Sequence, residues 1–470
     1  MRLYNSLTKQ KEPLETLTPE TVSMYVCGPT TYDYLHIGNA RPLVVFDTVA
    51  RYLRHKGYTV NHVQNFTDVD DKIIARAKER GEDTAALSQR YIAEANADME
   101  RLGIDTTLFQ AQPTVTDEMS AIIEMIADLI AKGHAYETRG NVYFHSPSYA
   151  DYGVLKNINQ DELQTRLDDD THGKKHPTDF VLWKAKKDGE PSFDSPWGAG
   201  RPGWHIECSA MIKKHLGDTI DIHGGGGDLM FPHHENEIAQ SVCANHAPLA
   251  RYFMHNGFIT IDNDKMSKSS GNFLTIREIG EQHGYAVLRF FLLSSHYRSA
   301  LSYSDEAIAS AKIGLERIST CMNHLRFLGE QATQTEQTDS ETHLLEQAVE
   351  ILEAFDTAMD DDFNTSLAFS SLFELITFIN THTREGGSEQ FVTKLSLLLD
   401  ILLEIIGISE LLADDATDDA DTARIEDLIA ERTQAKKDKD FARADTIRGE
   451  LTSMGVAIED TRQGVKWRYL

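Results

Sequence analysis

The hydrophobic period changes repeatedly along the chain, and each change marks an element. Thr21-Val22-Ser23-Met24-Tyr25-Val26-Cys27 alternates apolar and polar positions as a half-buried strand does, and Gly28-Pro29 behind it is a turn signal. From about Ala40 to His55 the spacing becomes helical, with Pro42 expected in the first turn, where a missing N–H is tolerated. Strand, turn and helix in that order predict the opening of a βαβ unit, whose unpaired N–H groups at the helix start attract phosphate. The Gly- and Pro-rich run from Asp188 to Gly203 marks a junction. A polar stretch from about Gln331 to Thr342 reads as a connector, and the acidic Ala- and Asp-rich Asp414–Asp421 as another. Between them Leu344–Ala354 and Leu395–Ile406 carry helical patterns, best read as a bundle. Helices and then a hairpin from Val456 to Trp467 close the chain, and no internal repeat is present.

Composition narrows the class. At 470 residues the chain exceeds a single core, and three or four domains are expected. It has no run of about 18 apolar residues to span a membrane and no apolar leader, so a cytoplasmic protein without membrane association is expected. Four scattered cysteines, Cys27, Cys208, Cys243 and Cys321, do not make a disulfide framework. A formal net charge of −28 argues against general affinity for nucleic acid. A local basic face remains near the C-terminus, at Lys436, Lys437, Lys439, Arg443, Arg448, Arg462, Lys466 and Arg468. Asp438, Asp440 and Asp445 interleave with it, so an ion-paired, solvated helix is the competing reading.

Three constellations carry chemistry. The first is His36-Ile37-Gly38-Asn39 at the predicted helix start, where His36 and Asn39, one turn apart, add side-chain donors to a phosphate site. The second is Lys265-Met266-Ser267-Lys268-Ser269 with Gly271 behind it, two ammonium groups among small hydroxyl residues, suited to a loop meeting polyphosphate. The third joins Trp204-His205-Ile206-Glu207-Cys208 to the block from His223 to Glu237. Pro232 is expected as a first helical residue, which sets His233 and Glu237 at i, i+4 on one face, half of a tetrahedral metal shell. Two thiolates would complete it. Cys208 is the nearer candidate, and Cys27 closes the predicted first strand. Spacing leaves His234, at i, i+3, as the alternative to His233.

The first two signatures, in this order, resemble the pair that marks class I aminoacyl-tRNA synthetases, although the usual fourth residue of the first is a second His where this chain has Asn39. An amide donates hydrogen bonds but carries no proton charge, so positioning is expected of Asn39. The likeness becomes close in Met24–Gly28, Asn65–Lys72, Gly203–Ser209, the His223–Glu237 block and Asp360-Asp361-Asp362-Phe363-Asn364-Thr365, which resemble the motifs of the cysteinyl-tRNA synthetases. The resemblance implies an α/β fold: a Rossmann-like parallel-sheet catalytic domain split by an insertion, then a helical bundle and a small anticodon-binding domain. The corresponding divisions are 1–111, 112–200 (insertion), 201–255, 256–330, 331–413 and 414–470. It further implies a zinc shell of Cys27, Cys208, His233 and Glu237, thus selecting His233.

By the same resemblance, Cys27, Thr67 and Trp204 would line the amino-acid pocket. His36, Gly38, Asn39, Gly226, Asp228 and Lys268 would meet ATP with Mg²⁺, and His36, Asn39, Lys265 and Lys268 would be catalytic. The Gly224–Gly227 run would let ATP approach the backbone. The partners implied are L-cysteine, ATP and tRNA(Cys), the chain is expected to be a monomer, and Phe441 and Trp467 are candidates to stack on unpaired bases. Zinc suits the task, since shape alone separates cysteine from serine weakly while the metal prefers the softer sulfur. The rival readings are a ligase joining cysteine to an amino sugar, a zinc hydrolase, and a non-catalytic RNA-binding relative.

Overall fold

The computed structural model describes residues 1–157, 173–261, 264–265, 274–416, 419–454, 456–461 and 464–469. It divides into two units: residues 1–307 with Ala358–Ser366, and residues 308–357 with Leu367–Leu470.

The first unit opens with a hairpin, β1 (Arg2–Asn5) and β2 (Gln10–Pro13). The alternating segment follows as β3 (Thr21–Val26), so it is the third strand of the chain and the hairpin before it was not anticipated. Helix α1 (Ile37–His55) returns to β4 (Thr59–Gln64), parallel to β3. In α1 the positions from Leu43 to Ala50 are buried, because the helix lies against the sheet with a run of Val and Phe. It starts earlier than expected, which moves Pro42 out of the first turn; lacking an N–H, Pro42 leaves the Gly38 carbonyl without its helical donor. Burial of the Leu43–Ala50 run against the sheet sustains the helix across that missing bond.

Helices α2 (Asp71–Arg80), α3 (Thr84–Arg101) and α4 (Met119–Ala131) lead into an antiparallel sheet of β5 (Ala135–Thr138), β6 (Asn141–Phe144), β7 (Phe180–Ala185) and β8 (Gly200–Pro202). The chain then rejoins the parallel sheet through α5 (Ile206–Leu216), β9 (Ile220–Gly226), α6 (Glu235–Asn245) and β10 (Ala250–Asn256). Strand order is β10-β9-β3-β4, all parallel. Order reverses between β3 and β9, the switch point where α/β sheets open a crevice for ligands beyond the strands' carboxyl ends. Tyr25, Val63, Ile206, Met211, Ile238 and Phe253 are among the residues of the core packed against this sheet.

A small sheet follows, in which β11 (Ile259–Ile261) lies between β12 (Asp264–Lys265) and β13 (Leu301–Tyr303), with α7 (Ile276–His283) and α8 (Tyr285–Leu293) between. The motif at Asp360–Thr365 belongs to this unit: buried Asp362, at φ 69°, accepts hydrogen bonds from Tyr4 N, the Tyr297 hydroxyl and Arg298 Nε, each at 2.8 Å.

The second unit contains long helices α9 (Asp305–Gln331), α10 (Asp339–Asp360), α11 (Thr365–His382) and α12 (Glu389–Ile406), the first three shared at their ends with the division between units. The two helical patterns read from the sequence fall within α10 and α12. The acidic stretch expected as a connector is helical instead on both sides of residues 417–418, in α13 (Ser409–Ala416) and α14 (Asp419–Lys437). Alanine propensity and aspartates at the N-terminal turn of α14 account for that. Then come α15 (Phe441–Ser453) and the expected hairpin, β14 (Val456–Thr461) with β15 (Gly464–Tyr469).

The two aromatics of this terminal region separate. Trp467 packs against the cluster of Ile425, Ile447, Leu451 and Val456, while Phe441 is 63% exposed. Part of the basic face is spent internally. Lys436 joins Arg432 on Asp460, and Arg443 pairs with Glu431 and Glu450.

Candidate functional site: a buried thiol, imidazole and carboxylate cluster at the sheet's switch point

At the carboxyl ends of β3 and β9 four side chains converge from separate elements. Cys27 follows β3, and its N–H donates to Gly224 O (3.1 Å), which extends the ladder with β9. Cys208 stands in the first turn of α5, and Glu237 in the first turn of α6. His233 precedes α6 in an irregular turn, Met230–His234, entered through an extended Phe231 and a cis Phe231–Pro232 bond. Pro232 is thus not the first residue of a regular helix, as the sequence predicts; steric conflict with the following ring holds Phe231 extended. Even so, His233 reaches Glu237.

The cluster is compact and buried. Cys27 Sγ lies 3.8 Å from Cys208 Sγ and 3.5 Å from Glu237 Oε1. His233 Nε2 lies 3.6 Å from Cys208 Sγ and 2.9 Å from Glu237 Oε1. All four are buried. Burial pushes the Cys27 thiol well up, reinforced by Cys208. Burial would raise Cys208 as well, but hydrogen bonds with Cys27 and His233 outweigh it and bring that thiol to about 6. His233 would be lowered by burial, yet Glu237 and Cys208 raise it to about 10. Burial works against ionised Glu237 too, but His233 and His223 hold its carboxyl well below the usual range. Of the four, Cys208 and Glu237 are held toward their anionic forms.

Several partners were not singled out from the sequence. His205 Nδ1 lies 2.9 Å from His233 Nδ1, so His233 turns its Nε2 to the cluster. His223 donates from Nε2 to Glu237 Oε2 (2.8 Å). The i, i+3 spacing of His205 and Cys208 was a signal for the first; the second needed the β9 register opposite β3, which pairs His223 with Tyr25. His234, the alternative left by spacing, has Nδ1 2.9 Å from His255 Nε2 and belongs to a second grouping with Cys27, His223 and Glu237.

Thr67 and Trp204 flank the cluster. The buried Thr67 hydroxyl donates to Glu207 Oε1 at 2.5 Å, and burial together with Cys208 pushes the Glu207 carboxyl well up. The Trp204 ring lies 4.4 Å from His233 and 5.3 Å from His205 between centroids, and is 39% exposed.

The first signature forms the start of α1. His36 is the N-cap: its Nδ1 accepts from Asn39 N (3.3 Å), and Asn39 Oδ1 accepts from His36 N (3.2 Å). This reciprocal box places the shorter Asn39 where Glu or Gln more often sits. With Nδ1 an acceptor, the imidazole carries its proton on Nε2. Gly38 lies in the first turn.

The second signature begins in β12, where Lys265 pairs with Thr260; Met266–Ser269, with Lys268, lie outside the described residues. Beyond them Leu274 O accepts from Ile37 N (3.1 Å) and Ile276 N donates to Leu35 O (3.0 Å). The far foot of the second signature is thus bridged to the first.

The glycine run divides. A Cβ on Gly224 would come within 3.0 Å of three atoms of the Phe46 ring, and one on Gly225 would meet His234 and Leu229. Packing is thus a sufficient reason for glycine at Gly224 and leaves little room for a side chain at Gly225, beside the approach of ATP expected for the run. A Cβ on Gly227, just past β9, would lie 3.1 Å from the Asn256 carbonyl oxygen, whereas Gly226 has no such backbone or core neighbour. The side chain that would meet a Cβ on Gly226 is Asp228, itself exposed.

The parallel sheet carries the first signature at the start of α1, beside its switch point, and residues 13–313 match the family described as tRNA synthetases class I (C) catalytic domain. A DALR domain matches residues 354–410, and a cysteinyl-tRNA ligase anticodon binding domain residues 411–468. The cysteine–tRNA ligase of Lachnospira eligens is 49% identical, over 99% of both chains, and that of Clostridioides difficile 48% identical over the whole of both. The chain belongs to the cysteine–tRNA ligase family. Among solved structures, methionyl-tRNA synthetase of Mycobacterium tuberculosis in complex with methionyl-adenylate shares the fold, with a TM-score of 0.61 at 19% identity, covering 85% of this chain and 92% of that one.

Proposed function

We propose that the chain joins L-cysteine to tRNA(Cys) in two steps at the β3/β9 crevice, with the thiol of the substrate recognised at the buried cluster. The carboxylate of cysteine attacks the α-phosphate of ATP and expels pyrophosphate. The resulting cysteinyl-adenylate then passes its acyl group to a terminal ribose hydroxyl of the tRNA, and AMP leaves. The observation that carries the reading is the cluster itself, in a chain 48–50% identical to cysteine–tRNA ligases over its whole length.

The donor set fits zinc. Thiolate bonds of about 2.3 Å and imidazole or carboxylate bonds of about 2.0 Å require tetrahedral edges of roughly 3.8 Å between sulfurs and roughly 3.5 Å from sulfur to nitrogen or oxygen. Three of the edges that involve sulfur are 3.8, 3.6 and 3.5 Å, while His233 Nε2 and Glu237 Oε1, 2.9 Å apart and hydrogen-bonded, would part to roughly 3.3 Å around an ion. Cys27, Cys208, His233 and Glu237 would hold the ion, and His205 and His223 would orient His233 and Glu237. When bound, zinc supplies a soft Lewis acid that favours a thiolate over the serine hydroxyl.

The remaining work falls to the protein's own groups. Thr67 and Trp204 bound the amino-acid pocket. His36, through Nε2–H, and the amide of Asn39 donate toward the phosphates at the start of α1, with Gly38 allowing close approach. Gly226 and Asp228 receive the adenosine side. Lys265 and Lys268 balance charge moving onto pyrophosphate, with Mg²⁺ accompanying ATP. Exposed Phe441 is the base-stacking candidate in the C-terminal domain, whereas Trp467 serves that domain's core. Among the described residues no helix is long and apolar enough to cross a membrane, and a cytoplasmic monomer is the state proposed.

The test is charging of total tRNA by purified protein with ATP and either cysteine or serine. Stable cysteinyl-tRNA without seryl-tRNA is expected; pyrophosphate exchange without tRNA charging would instead favour a ligase with another acceptor.

A further inference from the structure

The structure assigns Arg41 a positioning role: it mounts the near foot of the second signature on helix α1, the helix that begins with the first. The inference rests on the ligase reading above.

Arg41 is fully buried, yet among the described residues it pairs with no carboxylate. Its Nη1 donates to Gly257 O (2.8 Å) and Phe258 O (2.9 Å). Its Nη2 donates to Ser299 O (2.6 Å), and more loosely to Ser295 Oγ (3.4 Å) and His296 O (3.5 Å). Burying a cation among neutral oxygens is costly, and an apolar side chain of similar length would fill the space without that cost. What the guanidinium adds is a rigid planar fork that holds two chain segments at once.

Those segments lead to the second signature. Gly257 and Phe258 are the link from β10 into β11, and Ser299 lies just before β13. Because β11 is parallel to β13 and pairs Thr260 with Lys265, fixing Phe258 and Ser299 fixes the strand on which Lys265 is registered. The far foot at Leu274–Ile276 is held by Leu35 and Ile37 through backbone hydrogen bonds. Both feet are therefore carried by the same short stretch of chain, around one turn of α1. Arg41 acts through the placement of Lys265 and not by touching substrate.

The experiment uses the full chain, with active sites titrated. Cysteine-dependent ATP–pyrophosphate exchange gives kcat and the KM for ATP, pyrophosphate and cysteine. Single-turnover transfer from preformed enzyme-bound cysteinyl-adenylate to tRNA isolates the second step. For Arg41→Met, exchange kcat falls about 100-fold, the loss associated with misplacing a catalytic group by about 1 Å. KM for ATP and pyrophosphate rises, KM for cysteine stays within about twofold, and transfer from preformed adenylate is unchanged. Arg41→Lys, which restores one contact but not the fork, recovers part of the exchange rate. Equal falls in exchange and transfer at unchanged KM would mean a structural role only and overturn the proposal. If Arg41→Met does not fold, Arg41→Lys decides: selective loss of exchange supports the assignment, and wild-type parameters overturn it. A wild-type chain with no cysteine-dependent exchange would fail the ligase reading itself, whereas normal exchange in Arg41→Met would fail this inference alone.

Discussion

Gly224 and Gly226 lie two residues apart in one strand, and substituting each by alanine is expected to damage different things. At Gly224 a methyl group would lie within 3.0 Å of three Phe46 ring atoms, where ordinary contact begins at 3.4 Å. Neither side yields cheaply. Phe46 is 1% exposed inside α1's buried face, and Gly224 is registered between Val26 of β3 and Met254 of β10, so the strand is hydrogen-bonded on both edges. Overpacking of this kind costs about 1–3 kcal/mol. Gly224→Ala should therefore lower the urea midpoint, and adding Phe46→Leu should recover part of the loss, with a coupling of about 0.5–3 kcal/mol between the two sites.

Gly226→Ala meets only the exposed Asp228 side chain and needs no left-handed backbone, so its stability should stay within about 0.5 kcal/mol of wild type. If ATP approaches the backbone there, its KM should rise about tenfold, equivalent to about 1.4 kcal/mol of lost binding. Urea unfolding and ATP–pyrophosphate exchange on five proteins, the wild type, Gly224→Ala, Phe46→Leu, their double variant and Gly226→Ala, measure both quantities. Wild-type stability in Gly224→Ala, or a Gly226→Ala variant that loses stability while keeping its ATP KM, would refute this division of the glycine run.

Cys208→Ser should cut bound zinc well below one per chain and raise the cysteine KM, while Cys243→Ser, buried outside the cluster, should keep its zinc; full occupancy in Cys208→Ser would refute the ligand assignment. Arg289→Met should destabilise the first unit by about 3–5 kcal/mol, because buried Asp47 then keeps Arg51 alone and Leu102 O loses its donor. Burial would raise the Asp47 carboxyl, but Arg289 and Arg51 hold it below its ordinary 3.8. Its contribution is therefore complete above about pH 4 and is lost as pH falls through the lower folded value. Asp47→Asn should flatten the fall in urea midpoint on acidifying below pH 4, and an unchanged slope would remove Asp47 from the acid response. Phe441→Ala should leave stability and pyrophosphate exchange intact while lowering kcat/KM for tRNA by about 1–3 kcal/mol, the usual worth of one stacked base; equal tRNA kinetics would show that Phe441 touches no base.

Local pattern was enough for the elements whose cause is local. The alternation at Thr21–Val26, the helical spacing in α10 and α12 and the terminal hairpin could all be read along the chain, because each element buries one face at a fixed period. Pairing of His233 with Glu237 was similarly legible from a spacing of four residues. Other features depend on which parts of the chain meet. Cys27 and Cys208 are separated by most of β4 to β8, and only the return of β9 beside β3 brings their sulfurs to 3.8 Å. Spacing admitted both His233 and His234, and the fold gives them different neighbours, Cys208 for one and His255 for the other, while leaving each in a donor grouping with Cys27 and Glu237. Gly224 and Gly226 are chemically the same residue, and only the fold sets the Phe46 ring against one and the exposed Asp228 beside the other. Arg41 reads as an ordinary helix cation, since the sequence holds no sign that five neutral oxygens from two distant loops surround it. Periodicity records the face an element buries, whereas ligand sets and buried cations depend on three-dimensional neighbours that no local period encodes.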